Sequence, residues 1–419
     1  MNTRISGQLQ AMKMEVGEHP DSLAREIICF AGNATYGVGG QGEFLRQMVS
    51  ALELLPQAQV WSRFATAEKT KCFSVPFAGF SYRPFFNIVR KTPGLRQRKD
   101  WLMLLSDLQF DRSVAAGVGE VTVFDGVMAQ CLDTFMKLKR KGTHLVLTCL
   151  NTHIDNLLDT LETESRLTGQ PQRDFIHPRM RQRALREIQL ADKIRVNSSW
   201  AMKTFVERGV AAESIAVIHP PVDRQHFHPT ERKDSVFRVM AVSSINLRKG
   251  IHYLLQAFEE ARIPNSELVL IGGTEDRWSN SMLSGFLRRN NNIRNSSLDV
   301  ITSPVSESYG SASVLVHPSL EDGYGLVIPQ ALASGRPVIA TRQTGAAELI
   351  EHGKNGFIVE ARAVKELKEN LQVLASDPEL LQNMGQAAAD SVKNLSYANF
   401  AVQVRGLYQD ALKTRSGSH

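Results

Sequence analysis

Between residues 215 and 235 the chain reads IAVIHPPVDRQHFHPTERKDS, with three prolines, three histidines, a charged tail and no helical period. On either side of this interruption, short apolar runs with strand character alternate with amphipathic runs of helical period. The first series holds EIICFAG (26–32), QVWSRF (59–64), VTVFDG (121–126), HLVLTCLN (144–151) and DKIRVNS (192–198). The second holds FRVMAVSS (237–244), ELVLIGG (267–273), SVLVHPS (313–319), PVIAT (337–341) and NGFIVE (355–360), and then a helical tail. Strands alternating with helices build parallel sheets covered on both faces. A single proline-rich break at 215–235 therefore predicts two doubly wound α/β domains joined by a linker. We place them at 1–220 and 221–395, with residues 396–419 as a helix crossing back to the first domain.

At 419 residues the chain is too long for one ordinary core, in keeping with two domains. A hydrophobic content of 42% and a charged content of 22% are those of a globular protein, and exclude disordered and fibrous classes. No apolar stretch approaches the ~20 residues a membrane helix needs. Residues 1–24 are polar and without an apolar signal core, and are read as a loose leader. Four scattered cysteines without metal-like spacing suggest reduced thiols and a cytoplasmic protein. The whole net charge of +6 lies in residues 1–220. Its basic runs at 89–101, 136–142 and 177–186 are either solvated surface or an attraction to an anionic membrane or a phosphorylated acceptor. They lack the interleaved aromatics of a nucleic-acid binder.

Three loops at strand ends carry chemistry, because ligands of such sheets collect at the carboxyl ends of strands. YGVGGQGE (36–43) opens a helix after the first strand, and Gly39, Gly40 and Gln41 let a ligand approach its backbone. No acid ends the second strand, so a dinucleotide is not indicated, and a bare tight turn remains as an alternative. In SSINLRKGIHYLLQAF (243–258), Arg248 and Lys249 sit where a helix begins. Two cations there oppose the macrodipole by about 0.3–1 kcal/mol, which an anion held at that place explains better than a solvated pair does. The third loop is HPSLEDGYGLVIPQALASGRPVIAT (317–341). Gly323 and Gly325 flank Tyr324, and Pro329 requires the helix to start within a few residues before it. Asp322 and Gln330 bracket the turn as hydrogen-bonding groups suited to sugar hydroxyls. Singly they read as a turn acid and an exposed helix residue; together with the Arg-Lys pair they read as a ligand site.

With these motifs in order along nearly the whole chain, the sequence resembles the retaining glycosyltransferases of family four, the group 1 glycosyltransferases with the two-domain GT-B fold of facing Rossmann-like domains. The resemblance implies a hexosyltransferase-type enzyme that moves a sugar from a nucleotide sugar to a hydroxyl of a glycan, lipid-linked or small-molecule acceptor, with no cofactor and no metal. It implies that Arg248 and Lys249 neutralise the donor diphosphate, that Asp322, Gly323, Tyr324, Gly325 and Leu326 meet the transferred sugar and phosphate, and that Gln330 faces the ribose. Ser244 and Gly272 end the flanking strands on the donor side. His153, in CLNTHIDN, corresponds to a histidine near the sugar's outer hydroxyl. Three features depart from the pattern. Gln330 replaces a glutamate, Ser244 replaces an arginine, and DVITSPVSESYGSAS (299–313) has no clear base-reading residue. A nucleotide-sugar epimerase or phosphorylase would need further acid/base side chains or a cofactor lysine signature, and neither is present. A non-catalytic sugar-nucleotide-binding or scaffold protein on the same fold is the other alternative.

Overall fold

The computed structural model describes residues 23, 25–37, 39–53, 55–64, 72–74, 99–170, 176–296 and 305–416. Residues 1–22 of the expected leader, residues 89–98 of the first basic run and residues 299–304 of the base-facing segment lie outside these.

Two parallel sheets carry the chain. The first has the order β3-β2-β1-β4-β5-β6-β7. Its strands are β1 (Ile28–Thr35), β2 (Gln59–Phe64), β3 (Cys72–Ser74), β4 (Val123–Val127), β5 (His144–Cys149), β6 (Lys193–Val196) and β7 (Ile215–Val217). The second has the order β10-β9-β8-β11-β12-β13. It comprises β8 (Phe237–Val242), β9 (Ser266–Ile271), β10 (Ile293–Ser296), β11 (Val314–His317), β12 (Val338–Thr341) and β13 (Gly356–Val359). Strands such as β11 and β12 are buried along their whole length, because helices cover both faces and leave no solvated side. β7 takes the first three residues of the expected linker, so the connection between the sheets starts at Ile218, itself buried.

Each sheet is packed by two apolar clusters, one per face. One face of the first sheet joins β1 to the helix Gly39–Leu52 and to the last helix, Tyr397–Ser416, through Phe44, Met48, Phe400, Val404 and Tyr408. The last helix is locked there by charge as well as by area. Arg195 of β6 is fully buried between the Phe44 and Phe400 rings, 4.8 and 4.9 Å from their centroids. Nearby, Asp125 accepts from Tyr408 Oη at 2.8 Å and from Thr148 Oγ1 at 2.6 Å. The last described helix thus packs on the first domain after the second is complete.

Strand order reverses direction between β1 and β4 in the first sheet and between β8 and β11 in the second. Crevices at such switch points are where open α/β sheets bind ligands. The loop after β8 holds Arg248 and Lys249, and the loop after β11 holds Asp322, so topology alone puts the sequence candidates on two sides of one crevice.

Candidate functional site

The crevice is built from two loops that grip each other. After β8, Asn246 accepts the Lys249 N–H at 3.1 Å and turns Leu247–Lys249 into a single helical turn, ended by Gly250. Gly250 has φ +62°, and a Cβ there would run into the Pro318 carbonyl. A glycine is needed for the Arg-Lys turn to lie against the β11 loop. The helix proper, Ile251–Ala261, starts only after the two cations.

Those cations already have anions. Lys249 Nζ lies 2.5 Å from Asp322 Oδ2, and Arg248 Nη1 lies 3.0 Å from Glu321 Oε2. The unfavourable placement of two cations is thus compensated by the chain's own carboxylates, of which sequence reasoning had singled out only Asp322. His317 Nε2 adds a second contact to Asp322 Oδ2 at 3.0 Å, and Tyr324 N–H approaches Oδ1 at 3.4 Å. Burial would raise the Asp322 pKa, but Lys249, His317 and Arg248 together hold it well below the ordinary carboxylate value. Its ionised form therefore contributes stability at any pH above the ordinary aspartate value, and that stability is lost only as pH falls through the lower folded value. Burial lowers Lys249, helped by Arg248 and opposed by Asp322. Burial also works against the Arg248 charge, but Glu321 and Asp322 more than offset it and raise its pKa.

The glycine turn is stitched to its neighbour strand. Asp322 N–H donates to the Gln343 carbonyl at 3.0 Å, Gly345 N–H to the Asp322 carbonyl at 3.0 Å, and Ala346 N–H to the Tyr324 carbonyl at 2.7 Å. Among the described residues the N–H groups of Gly323 and Gly325 have no partner. The helix begins at Val327 with Pro329 in its first turn, as the proline required, but runs only to Ala333. The Tyr324 ring is buried in the apolar cluster below the turn, so only its backbone is presented to the crevice. Gln330 is half-buried, and its Oε1 accepts from the fully buried Tyr309 Oη at 3.1 Å, which leaves its amide N–H groups unengaged among the described residues.

The first domain closes on this turn. Gly323 lies so near the Leu150 carbonyl and Asn151 that a Cβ would collide with both. Ser198 Oγ donates to the Gly323 carbonyl at 2.7 Å, and Ser199 N–H to Glu348 Oε2 at 3.1 Å. His153 lies on the same first-domain loop, buried edge-on against Phe205 at 5.1 Å. Its Nδ1 accepts the Asp155 N–H at 3.2 Å and caps the helix Ile154–Thr168, while burial lowers its pKa.

The remaining candidates have other neighbours. Ser244 is exposed, and Gly272, with φ +147° and packed on the Ser243 carbonyl, serves the approach of β9 to the β8 loop. Gly39, Gly40 and Gln41 are exposed in the first turn of their helix, which starts five residues before the apolar run that marks it in the sequence. Gln41 lines a pocket at the first domain's own switch point, with Asn33, Gln130, Phe30, Phe44 and Leu150. A carboxylate fixes the backbone on either side of Gln130. Glu187, fully buried, accepts the N–H groups of Ala129 and Cys131, the former held in a left-handed conformation at φ +71°. Burial, partly offset by those two bonds, pushes the Glu187 pKa to about 8. A buried acid with a raised pKa makes stability fall as pH climbs from the unfolded value through the folded one. Between pH 6.5 and 8 the thermal midpoint should therefore drop, by about 1 kcal/mol of stability per pH unit. Glu187→Gln should flatten that slope; an unchanged slope would remove Glu187 as its source.

Residues 223–391, most of the C-terminal domain, match the family model described as Glycosyl transferases group 1. The capsular polysaccharide biosynthesis glycosyltransferase CapM of Staphylococcus aureus is 31% identical over 187 residues, 43% of this chain and 48% of CapM. The chain spans about half the length of the curated relatives it matches. The fold is shared with sucrose-phosphate synthase of Thermosynechococcus elongatus, with a TM-score of 0.69 and 17% identity, covering 93% of this chain and 100% of that one. It is shared too with Anabaena HepE, solved in complex with UDP-glucose, with a TM-score of 0.63 and 16% identity, over 91% and 99% of the chains. The two facing Rossmann-like domains are the GT-B fold. Among the described residues no helix is long and apolar enough to cross a membrane.

Proposed function

We propose that the protein is a retaining, metal-independent glycosyltransferase that moves a hexosyl group from a nucleoside-diphosphate sugar to an acceptor hydroxyl. The observation that carries this reading is the convergence of Arg248, Lys249 and the free N–H groups of Gly323 and Gly325 on the β8–β11 switch point. Lys249 has three N–H donors and Arg248 five, so their pairing with Asp322 and Glu321 leaves donors for a diphosphate. Charge stabilisation of the departing diphosphate by fixed donors needs no side-chain nucleophile, and the leaving phosphate takes the acceptor proton. Asp322, with both oxygens engaged, holds Lys249 and the turn in place. Gln330 presents amide N–H groups on the side where the ribose is expected, and Tyr309 fixes its orientation. The acceptor, a glycan, lipid-linked or small-molecule hydroxyl, enters from the first domain through the pocket of Asn33, Gln41 and Gln130. The closed contacts at Gly323 exclude water and limit donor hydrolysis. The complex of HepE with UDP-glucose supports a uridine donor, and CapM supports a polysaccharide-type acceptor.

The test is nucleotide release from a panel of UDP-, GDP-, ADP- and dTDP-sugars, with and without acceptor glycans, under chelation, with the product anomer read by NMR. Acceptor-dependent release with retained configuration supports the proposal. Binding without release with any acceptor supports a scaffold protein, and an inverted product excludes the retaining step.

A further inference from the structure

Glu321 precedes the aspartate of the glycine turn, and its side chain is completely buried. Its two oxygens point to different domains. Oε2 takes Arg248 Nη1 at 3.0 Å on the donor side. Oε1 takes Thr152 Oγ1 at 2.7 Å and Thr152 N–H at 3.2 Å, from the loop that follows β5 in the first domain. Thr152 is itself fully buried, and its hydroxyl accepts from Asn156 Nδ2 at 3.0 Å, so the hydroxyl proton is directed at Glu321. The Arg248 backbone is fixed by the same segment, since Leu320 N–H donates to its carbonyl at 2.8 Å. The arginine is therefore held at its main chain and at its guanidinium by residues 319–321, while those residues are held by the opposite domain.

We propose that Glu321 is a positioning residue that orients Arg248 toward the donor diphosphate only when Thr152 has closed on it, so that domain closure and presentation of the cation are one event. The inference rests on the donor-site reading above. When the cleft opens, Oε1 loses both donors, and a buried carboxylate oxygen without partners is strongly disfavoured. Glu321 then turns to water, and the guanidinium it carries leaves its docked orientation. A simple electrostatic view gives the opposite expectation, because a carboxylate beside a phosphate site repels the phosphate.

Variants Glu321→Gln, Thr152→Val and Thr152→Ser separate these views. Calorimetry would follow UDP, GDP, ADP and dTDP against their monophosphates, and nucleotide release would give kcat and KM. Glu321→Gln is expected to weaken diphosphate binding about tenfold while leaving monophosphate binding within threefold of wild type. Thr152→Val, which keeps shape and removes one donor, should lower kcat about tenfold with KM little changed, and Thr152→Ser should restore it. A merely structural role would shift thermal stability without touching the diphosphate-to-monophosphate ratio or the serine rescue. Tighter diphosphate binding by Glu321→Gln, or kcat unchanged in Thr152→Val, would overturn the proposal. Lys249→Ala is the reference. If it binds diphosphates like wild type, the donor-site reading itself fails; if it loses them while the Glu321 and Thr152 variants match wild type, only the coupling fails.

Discussion

Lys249→Ala should weaken nucleoside-diphosphate binding by about 100-fold and reduce nucleotide release by at least as much, since hydrogen bonds to charged groups are each worth about 1.5–3 kcal/mol. The ammonium is nearly buried, at 12% exposure, so its interaction with an incoming phosphate is little screened by water or salt. It is also held in one place. Asp322 Oδ2 lies 2.5 Å away, and His317 braces that carboxylate at 3.0 Å. Removal leaves a buried carboxylate with His317 as its remaining side-chain contact on that oxygen, so thermal stability should fall as well. Calorimetric titration at a temperature well below the variant's melting point separates the two effects. Diphosphate affinity equal to wild type in a folded variant would remove Lys249 from the site.

The second large effect belongs to Glu164. This carboxylate sits on the first-domain helix Ile154–Thr168 and is fully buried. It accepts from three groups of the other domain: His252 Nε2 at 2.9 Å, Tyr253 Oη at 2.8 Å and Arg362 Nε at 2.7 Å. Burial alone would raise its pKa, but those three partners lower it. Arg362 reaches it from a left-handed backbone at φ +70°, an uncommon conformation for a side-chain-bearing residue that the interdomain bond helps to fix. Breaking a buried pair from one side costs about 3–5 kcal/mol, and the 30% exposure of Arg362 allows partial rehydration. Glu164→Ala should therefore shift the closure equilibrium toward the open form by about 2–3 kcal/mol, roughly 30- to 150-fold. Small-angle scattering should show a larger radius of gyration, and nucleotide release should fall even though no donor contact is touched. Identical scattering from wild type and variant would show that this cluster does not hold the domains together.

Much of the architecture was legible because parallel sheets covered on both faces write a strong signal. Their strands read as continuous apolar runs, and the 218–235 stretch breaks the pattern with prolines. The short helix after the glycine turn was equally readable from Pro329. The site was legible only as far as local chemistry reached. The Arg-Lys pair signalled an anion, and the nearest anions are Glu321 and Asp322. Glu321 is not marked in the sequence, because its partner Thr152 lies in the other domain and no local period records such a contact. Glu164 sits in LETES, an acidic helix stretch that reads as solvated surface until the second domain covers it. Tyr324 looked ligand-facing because two glycines flank it, yet burying an aromatic ring under the turn is worth more than exposing it. Long-range pairing of charges, and the choice of which face of a loop turns inward, are properties of the packed molecule.

The most direct measurement is a crystal structure of the wild-type protein with a nucleoside-diphosphate sugar that it turns over. The diphosphate should lie within hydrogen-bonding distance of Lys249 Nζ, the Arg248 guanidinium and the Gly323 or Gly325 N–H, with Thr152 still on Glu321. A diphosphate seated elsewhere, with the Lys249–Asp322 and Arg248–Glu321 pairs undisturbed and no phosphate between the two loops, would contradict the account.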